Sequence, residues 1–256
     1  MRQDEVSSLL GEAPRGKRDQ IVLVGKFGHH PNGQQNFSAD AFRSSLDASL
    51  RRLRTDYLDV LLLHNPPSVM YEGNYPLWNA LEQARRQGKI RHYGVSLDFA
   101  SEIESCLKNT ESEVLEVLFN ILHQDVRRAF PLVREKGAGI IVKIPLDSGW
   151  LTGRFNAHSQ FDGVRSRWTE TEIHQRAELI SNLDWLTVDG SSLAHKALGF
   201  LLTYEDVSCV IPGIRSHQQL QSNLAAPKCI VTEDARRKLE KFWDEFTLNG
   251  TNLLSW

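Results

Sequence analysis

Short apolar runs alternate with longer amphipathic segments along the whole chain, and that alternation restricts the fold more than any other feature. Residues 21–25 (IVLVG), 57–63 (YLDVLLL), 90–96 (IRHYGVS), 114–120 (VLEVLFN), 139–144 (GIIVKI) and 207–211 (VSCVI) are compact and apolar, the pattern of buried strands. Helical periods separate them. From Ser38 onward, Phe42, Leu46, Leu50 and Leu53 fall four or three apart, with Arg51, Arg52 and Arg54 on the other face. Helices are likewise expected over 77–87, 100–108, 124–136, 172–187 and 191–203, with 217–224 and 233–246 closing the chain. Continuous apolar strands alternating with amphipathic helices belong to a parallel sheet covered by helices. The expected class is therefore α/β. No linker or low-complexity stretch divides the 256 residues, so a single domain over 1–256 is expected, a length that suits an α/β barrel.

Charge and composition narrow the function. The formal net charge is −2, which argues against the basic stripe of a nucleic-acid binder. No apolar run approaches the ~18 residues needed to cross a bilayer, and residues 1–18 are polar and charged rather than signal-like. Cys106, Cys209 and Cys229 are sparse and unclustered. They point to a reducing, cytoplasmic setting, without a disulfide framework or a zinc site. Cys209 is read as a core strand residue, and His29-His30 as a loop pair rather than a metal pair.

Five segments together carry a family likeness. They are 16–28 (GKRDQIVLVGKFG), 38–67 (SADAFRSSLDASLRRLRTDYLDVLLLHNPP), 88–96 (GKIRHYGVS), 145–153 (PLDSGWLTG) and 211–223 (IPGIRSHQQLQSN). In this order they resemble the aldo-keto reductase family, over roughly Asp4 to Ala226. The resemblance implies a (β/α)8 barrel of the TIM type that binds NADPH across the C-terminal ends of its strands and reduces aldehydes or ketones. It implies a catalytic set of aspartate, tyrosine, lysine and histidine. Lys26 matches the lysine and His64 the histidine, both at strand ends. The aspartate and tyrosine have no counterpart, because the helix they precede in the family matches 5–11 (EVSSLLG) here. The expectation is a barrel incomplete at its N-terminal side, with about six parallel strands and outer helices. Its first and last strands would be edges open to self-association, each unmatched buried donor or acceptor costing roughly 1–3 kcal/mol. A chain so built is expected to be a poor carbonyl reductase by itself.

The same resemblance assigns the cofactor contacts. Ser96 matches a serine that binds the nicotinamide carboxamide, while Leu97 stands where asparagine is usual. Glu116 takes the place of a glutamine, and Lys143 that of an aromatic or basic residue on the neighbouring strand; the two are expected to pair at the rim. Pro145, Leu146, Gly149 and Leu151 fall in the loop over the pyrophosphate. Gly213, Arg215 and Ser216 open a helix N-terminus suited to the 2′-phosphate, with Gln219 and Asn223 one turn apart toward the adenine. Arg215 favours NADP over NAD. Tyr71 and Tyr75 are candidates to replace the missing tyrosine, Trp78, Trp150 and Trp168 to line the mouth or pack the rim, and Arg165 and Arg167 to meet an anionic substrate.

Two functional classes follow. One is an NADP-dependent oxidoreductase acting on a small carbonyl or sugar-like substrate. The other is a non-redox descendant: a lyase or isomerase using Lys26 and His64, or a cofactor- or partner-binding pseudo-enzyme.

Overall fold

The computed structural model describes residues 3–13, 16–29, 33–72, 74–163 and 166–255, with side chains from Ser8 onward. Six strands form one sheet in chain order: β1 (Val24–Phe27), β2 (Leu58–His64), β3 (Ile90–Leu97), β4 (Val114–Leu118), β5 (Gly139–Lys143) and β6 (Val207–Val210). Parallel pairing is set by register, with Lys26 opposite Leu62, His64 opposite Ser96, and Val142 opposite Val210. Nine α-helices accompany them among the described residues: α1 (Gln3–Glu12), α2 (Ala39–Leu53), α3 (Pro76–Arg86), α4 (Ala100–Asn109), α5 (Phe130–Lys136), α6 (Glu170–Ser181), α7 (Leu193–Leu201), α8 (His217–Ala225) and α9 (Glu233–Phe246). The expected α/β class with six parallel strands holds. No helix among the described residues is long and apolar enough to cross a membrane.

Three expectations shift for identifiable reasons. β1 begins at Val24 and not at Ile21, because the Leu23 amide donates to the Asp59 carboxylate (2.9 Å) instead of entering the ladder. The helix expected over 124–136 splits into a 3-10 turn, Asp125–Ala129, and α5, whose second residue is Pro131; a proline that cannot donate an N–H suits a helix start rather than its middle. The helix expected over 172–187 starts earlier, where Thr169 and Glu172 form a capping box, and stops at Ser181 before a separate turn at Asp184–Thr187. Cys209 is exposed, a correction to its reading as core: it lies on β6, at one end of the strand order.

The chain comprises two compact units. The first is Met1–Glu116 with Ala129–Gly139, the second Val117–Arg128 with Ile140–Trp256. In the first unit, Ser38 caps α2 by accepting the Ala41 amide (3.3 Å), and α2 buries Phe42, Leu46 and Leu50. Phe42 meets the Phe27 ring edge-on at 5.6 Å, which fixes the helix over the end of β1. Gly94 on β3 lets β4 approach closely, since a Cβ there would lie 1.6 Å from the Val114 carbonyl oxygen. In the second unit, Phe119 packs against Phe200 and Tyr204 (5.8 and 5.1 Å), and α9 buries Leu239 and Trp243.

Candidate active site

Within the first unit, chemistry gathers at the C-terminal ends of β1 to β4. Lys26 reaches from β1 to the Glu116 carboxylate on β4 and forms an ion pair with it. The lysine side chain is 34% exposed, the glutamate 1%. Glu116 was expected opposite Lys143; the structure engages it with Lys26 instead. Ser96 is fully buried on β3, where its hydroxyl donates to Asn65 Oδ1 at 3.1 Å and lies 3.5 Å from Glu116 Oε1. The Asn65 amide nitrogen donates to Asp98 Oδ2 (2.6 Å), and the Asn65 backbone turns left-handed (φ 45°) just after His64. Asparagine tolerates that conformation better than most residues. Leu97, in the place of an amide-bearing residue, is buried.

His64, half-buried at the end of β2, stacks on His29 with ring centroids 4.5 Å apart. The reading of His29 as a mere loop residue missed this. The turn depends on Gly28, at φ 120°, where a Cβ would lie 1.9 Å from the Phe37 ring. Gln35 Nε2 lies 3.0 Å from His29 Nε2; an amide nitrogen only donates, so His29 accepts there. His30 lies outside the described residues. Tyr71 is unsuited as a replacement proton donor: it is 2% exposed, its hydroxyl donates to Glu102 (3.3 Å), and burial together with that carboxylate pushes the phenol well above its ordinary range. Tyr75 is half-buried at the start of α3. Trp78 donates to the Met70 carbonyl (2.6 Å) and serves packing.

The second unit carries the phosphate-side residues. Lys143 ends β5 and is 8% exposed. In the following loop Pro145, Gly149 and Leu151 are buried and Leu146 half-buried. Asp147, Ser148 and Gly149 are consecutively left-handed (φ 45°, 53° and 106°). Asp147 is fully buried between His123 (3.3 Å) and Arg176 (3.4 Å), and Arg176 is itself fully buried. Sequence reading missed this cluster, since its three members are dispersed along the chain. Trp150 and Trp168 are buried in an aromatic group with Phe155 and Phe161, so they pack rather than line a mouth. Arg167 stacks on Trp168 at 4.8 Å; Arg165 lies outside the described residues.

Further along, Ser216 caps α8 by accepting the Gln219 amide (3.2 Å), and Gln219 Oε1 accepts the Arg215 amide (2.6 Å). The Asn223 side chain approaches the Gly213 carbonyl at 3.5 Å. Arg215, Ser216 and Gly213 are exposed, and a Cβ at Gly213 would meet nothing within 4 Å. An accessible guanidinium, a hydroxyl and a helix N-terminus beside open space form a donor set that fits a phosphate-bearing ligand.

The sequence model of the aldo/keto reductase family matches residues 3–244. The chain belongs to that family. Among curated aldo-keto reductases it is 24% identical to "Aldo-keto reductase yakc [NADP(+)]" of Schizosaccharomyces pombe, over 92% of this chain and 73% of that one. It is 26% identical to L-galactose dehydrogenase of Arabidopsis thaliana, over 82% of this chain and 64% of that one. A shorter match, 43% identity over 94 residues, joins it to methylglyoxal reductase YeaE of Escherichia coli, covering 36% of this chain and 30% of that one. Among solved structures, the holo form of aldo-keto reductase AKR11C1 from Bacillus halodurans superimposes with a TM-score of 0.78 at 25% identity, over 94% of this chain and 78% of that one. The fold is thus of the TIM-barrel type that aldo-keto reductases share.

Proposed function

We propose that the chain is an NADP-dependent oxidoreductase that reduces a small aldehyde, ketone or sugar-like carbonyl compound. The observation that carries this reading is the pair Lys26 and His64, at the C-terminal ends of adjacent parallel strands in a member of this family. Strand C-termini are where barrels of this type do their chemistry. When bound, the cofactor supplies hydride. The chain's own residues do the rest. His64 donates a hydrogen bond to the carbonyl oxygen, polarises it and gives up that proton to it, taking another from solvent afterwards. Lys26 places a positive charge beside the oxygen as negative charge grows there. In the first unit, Ser96 and Glu116 are the nicotinamide-side residues; in the second, Lys143 at the end of β5 is a further cofactor residue. Pro145, Leu146, Gly149 and Leu151 belong to the pyrophosphate loop, and Gly213, Arg215, Ser216, Gln219 and Asn223 to the 2′-phosphate and adenine side.

The test is NADPH oxidation followed at 340 nm against a panel of aldehydes, ketones and aldoses. Carbonyl-dependent oxidation lowered about 10²–10⁴-fold by His64→Ala, and lowered again by Lys26→Met, supports the reading. NADPH binding without turnover on any member of the panel refutes it and favours the cofactor-binding pseudo-enzyme.

A further inference from the structure

We propose that Glu116 is the positioning counter-ion of Lys26: it aims the lysine ammonium, in place of reading a cofactor amide. This rests on the reading above that Lys26 belongs to the reducing site. The first argument is distance. β1 and β4 are separated in the sheet by β2 and β3, three spacings that amount to roughly 14 Å along the surface. Lys26 nevertheless meets Glu116 directly. The contact therefore crosses the concave side of the curled sheet, on the face where Lys26 stands level with Leu62. Gly94, in register with Leu62, presents no side chain at that level of β3.

The second argument is asymmetry. The carboxylate is 1% exposed, whereas the lysine is 34% exposed. A carboxylate so deeply buried needs a compensating charge, because an unpaired one is strongly disfavoured away from water. Its oxygen takes the ammonium, with the Ser96 hydroxyl 3.5 Å away. Glu116 thus holds Lys26 by charge while Ser96, fixed by Asn65, limits where the carboxylate can turn. A glutamine in this place would both donate and accept toward a ligand amide; a carboxylate accepts only, and here Lys26 occupies it. Among the described residues, the other titratable groups at these strand ends include His64 and His29 after β2 and β1, and Asp98 after β3, whose amide donates to Glu102.

The experiment compares wild type with Glu116→Gln and Glu116→Asp. Lysines are reductively methylated with ¹³C-formaldehyde, and the Lys26 dimethyl resonance is assigned by its loss in Lys26→Arg. A side chain held in one orientation in an asymmetric setting shows two separate methyl signals, a freely turning one a single averaged signal. Wild type is expected to show two, Glu116→Gln one, and Glu116→Asp two with a smaller separation. NADPH affinity is read in parallel by fluorescence. Two signals retained in Glu116→Gln overturn the proposal, and tighter NADPH binding in the same variant then makes position 116 an amide-reading residue. In an active enzyme, the proposal also expects Glu116→Gln to lower kcat about 10–100-fold and leave the carbonyl KM within threefold, with Glu116→Asp recovering part of the loss. The NMR measurement needs no turnover. Absence of carbonyl reduction in the wild type would therefore count against the proposed function, and an unmoved Lys26 signal against the role of Glu116.

Discussion

Asp147→Asn removes one charge from the most deeply buried ionic cluster among the described residues and changes little else. Asparagine keeps the shape and tolerates the left-handed backbone that position 147 adopts at φ 45°. What it leaves behind is Arg176, fully buried, with its Nε 3.4 Å from a group that no longer carries charge. Taking one partner from a buried ion pair costs about 3–5 kcal/mol, because the survivor is stranded in a poorly polarisable setting. For a chain of this size that corresponds to a fall in Tm of roughly 6–20 °C. The assay is urea unfolding followed by tryptophan fluorescence, which reports chiefly on the second unit, home to Trp150, Trp168, Trp185 and Trp243. The double variant Asp147→Asn/Arg176→Met removes the stranded charge as well. It is expected to recover stability to within about 1–2 kcal/mol of wild type, since swapping a whole buried pair for apolar groups is often nearly neutral. A single-variant loss below about 1 kcal/mol, or a double variant less stable than Asp147→Asn, would refute the reasoning.

Arg215→Ala should raise the NADPH dissociation constant at least tenfold while leaving NADH within about twofold, by calorimetric titration, because a guanidinium fork recognises the phosphate that distinguishes them. Gly94→Ala should lower stability by about 1–3 kcal/mol or more, seen as a reduced Tm, because the new methyl group would collide with the Val114 carbonyl oxygen 1.6 Å away. Hydrogen bonding to Lys196 and to the Ser191 amide holds the Asp189 carboxyl down to about 2. A carboxyl depressed in the folded state contributes stability that is fully present above its unfolded value near 3.9 and is lost as pH falls through the folded one. The stability difference between wild type and Lys196→Met should accordingly be flat from pH 4 to pH 7 and shrink between about pH 4 and 2. A difference unchanged across that range would show that Lys196 acts by packing rather than by charge.

The strands were legible because each is a short apolar run bounded by turn residues, and all six appear in the expected order. Their ends were less so. The Leu23 amide leaves the ladder for a side chain 36 residues away, and no local pattern announces that. Pro131 did carry a signal for the split of 124–136, since proline favours the first turn of a helix. Lys26 and His64 could be singled out through family likeness and strand-end position. The partner of Glu116 could not: Lys26 lies 90 residues earlier, and the two meet through the curl of the sheet rather than through adjacency of strands. His29 was passed over because its meaning depends on a single backbone torsion at Gly28, although a glycine two residues after a strand-end lysine does mark a chain about to turn back. The buried polar groups at 123, 147 and 176 read separately as ordinary polar residues, and only packing makes them one cluster.

Under the function proposed above, in which this loop lies over the pyrophosphate, the left-handed stretch at 147–149 has a consequence for the kinetics and thermodynamics of ligand capture. Ordering a backbone residue costs about 1–2 kcal/mol in conformational entropy. Here that entropy is lost when the chain folds, since Asp147 is clamped by His123 and Arg176 and Thr152 Oγ1 donates to the Gly149 carbonyl (2.6 Å). A ligand meeting this loop finds it preorganised, so little of the interaction energy is consumed in ordering it. Association would then proceed as a single fast phase, without a slow step that saturates with ligand concentration, and would carry the small heat-capacity change of rigid docking rather than the large one of coupled folding.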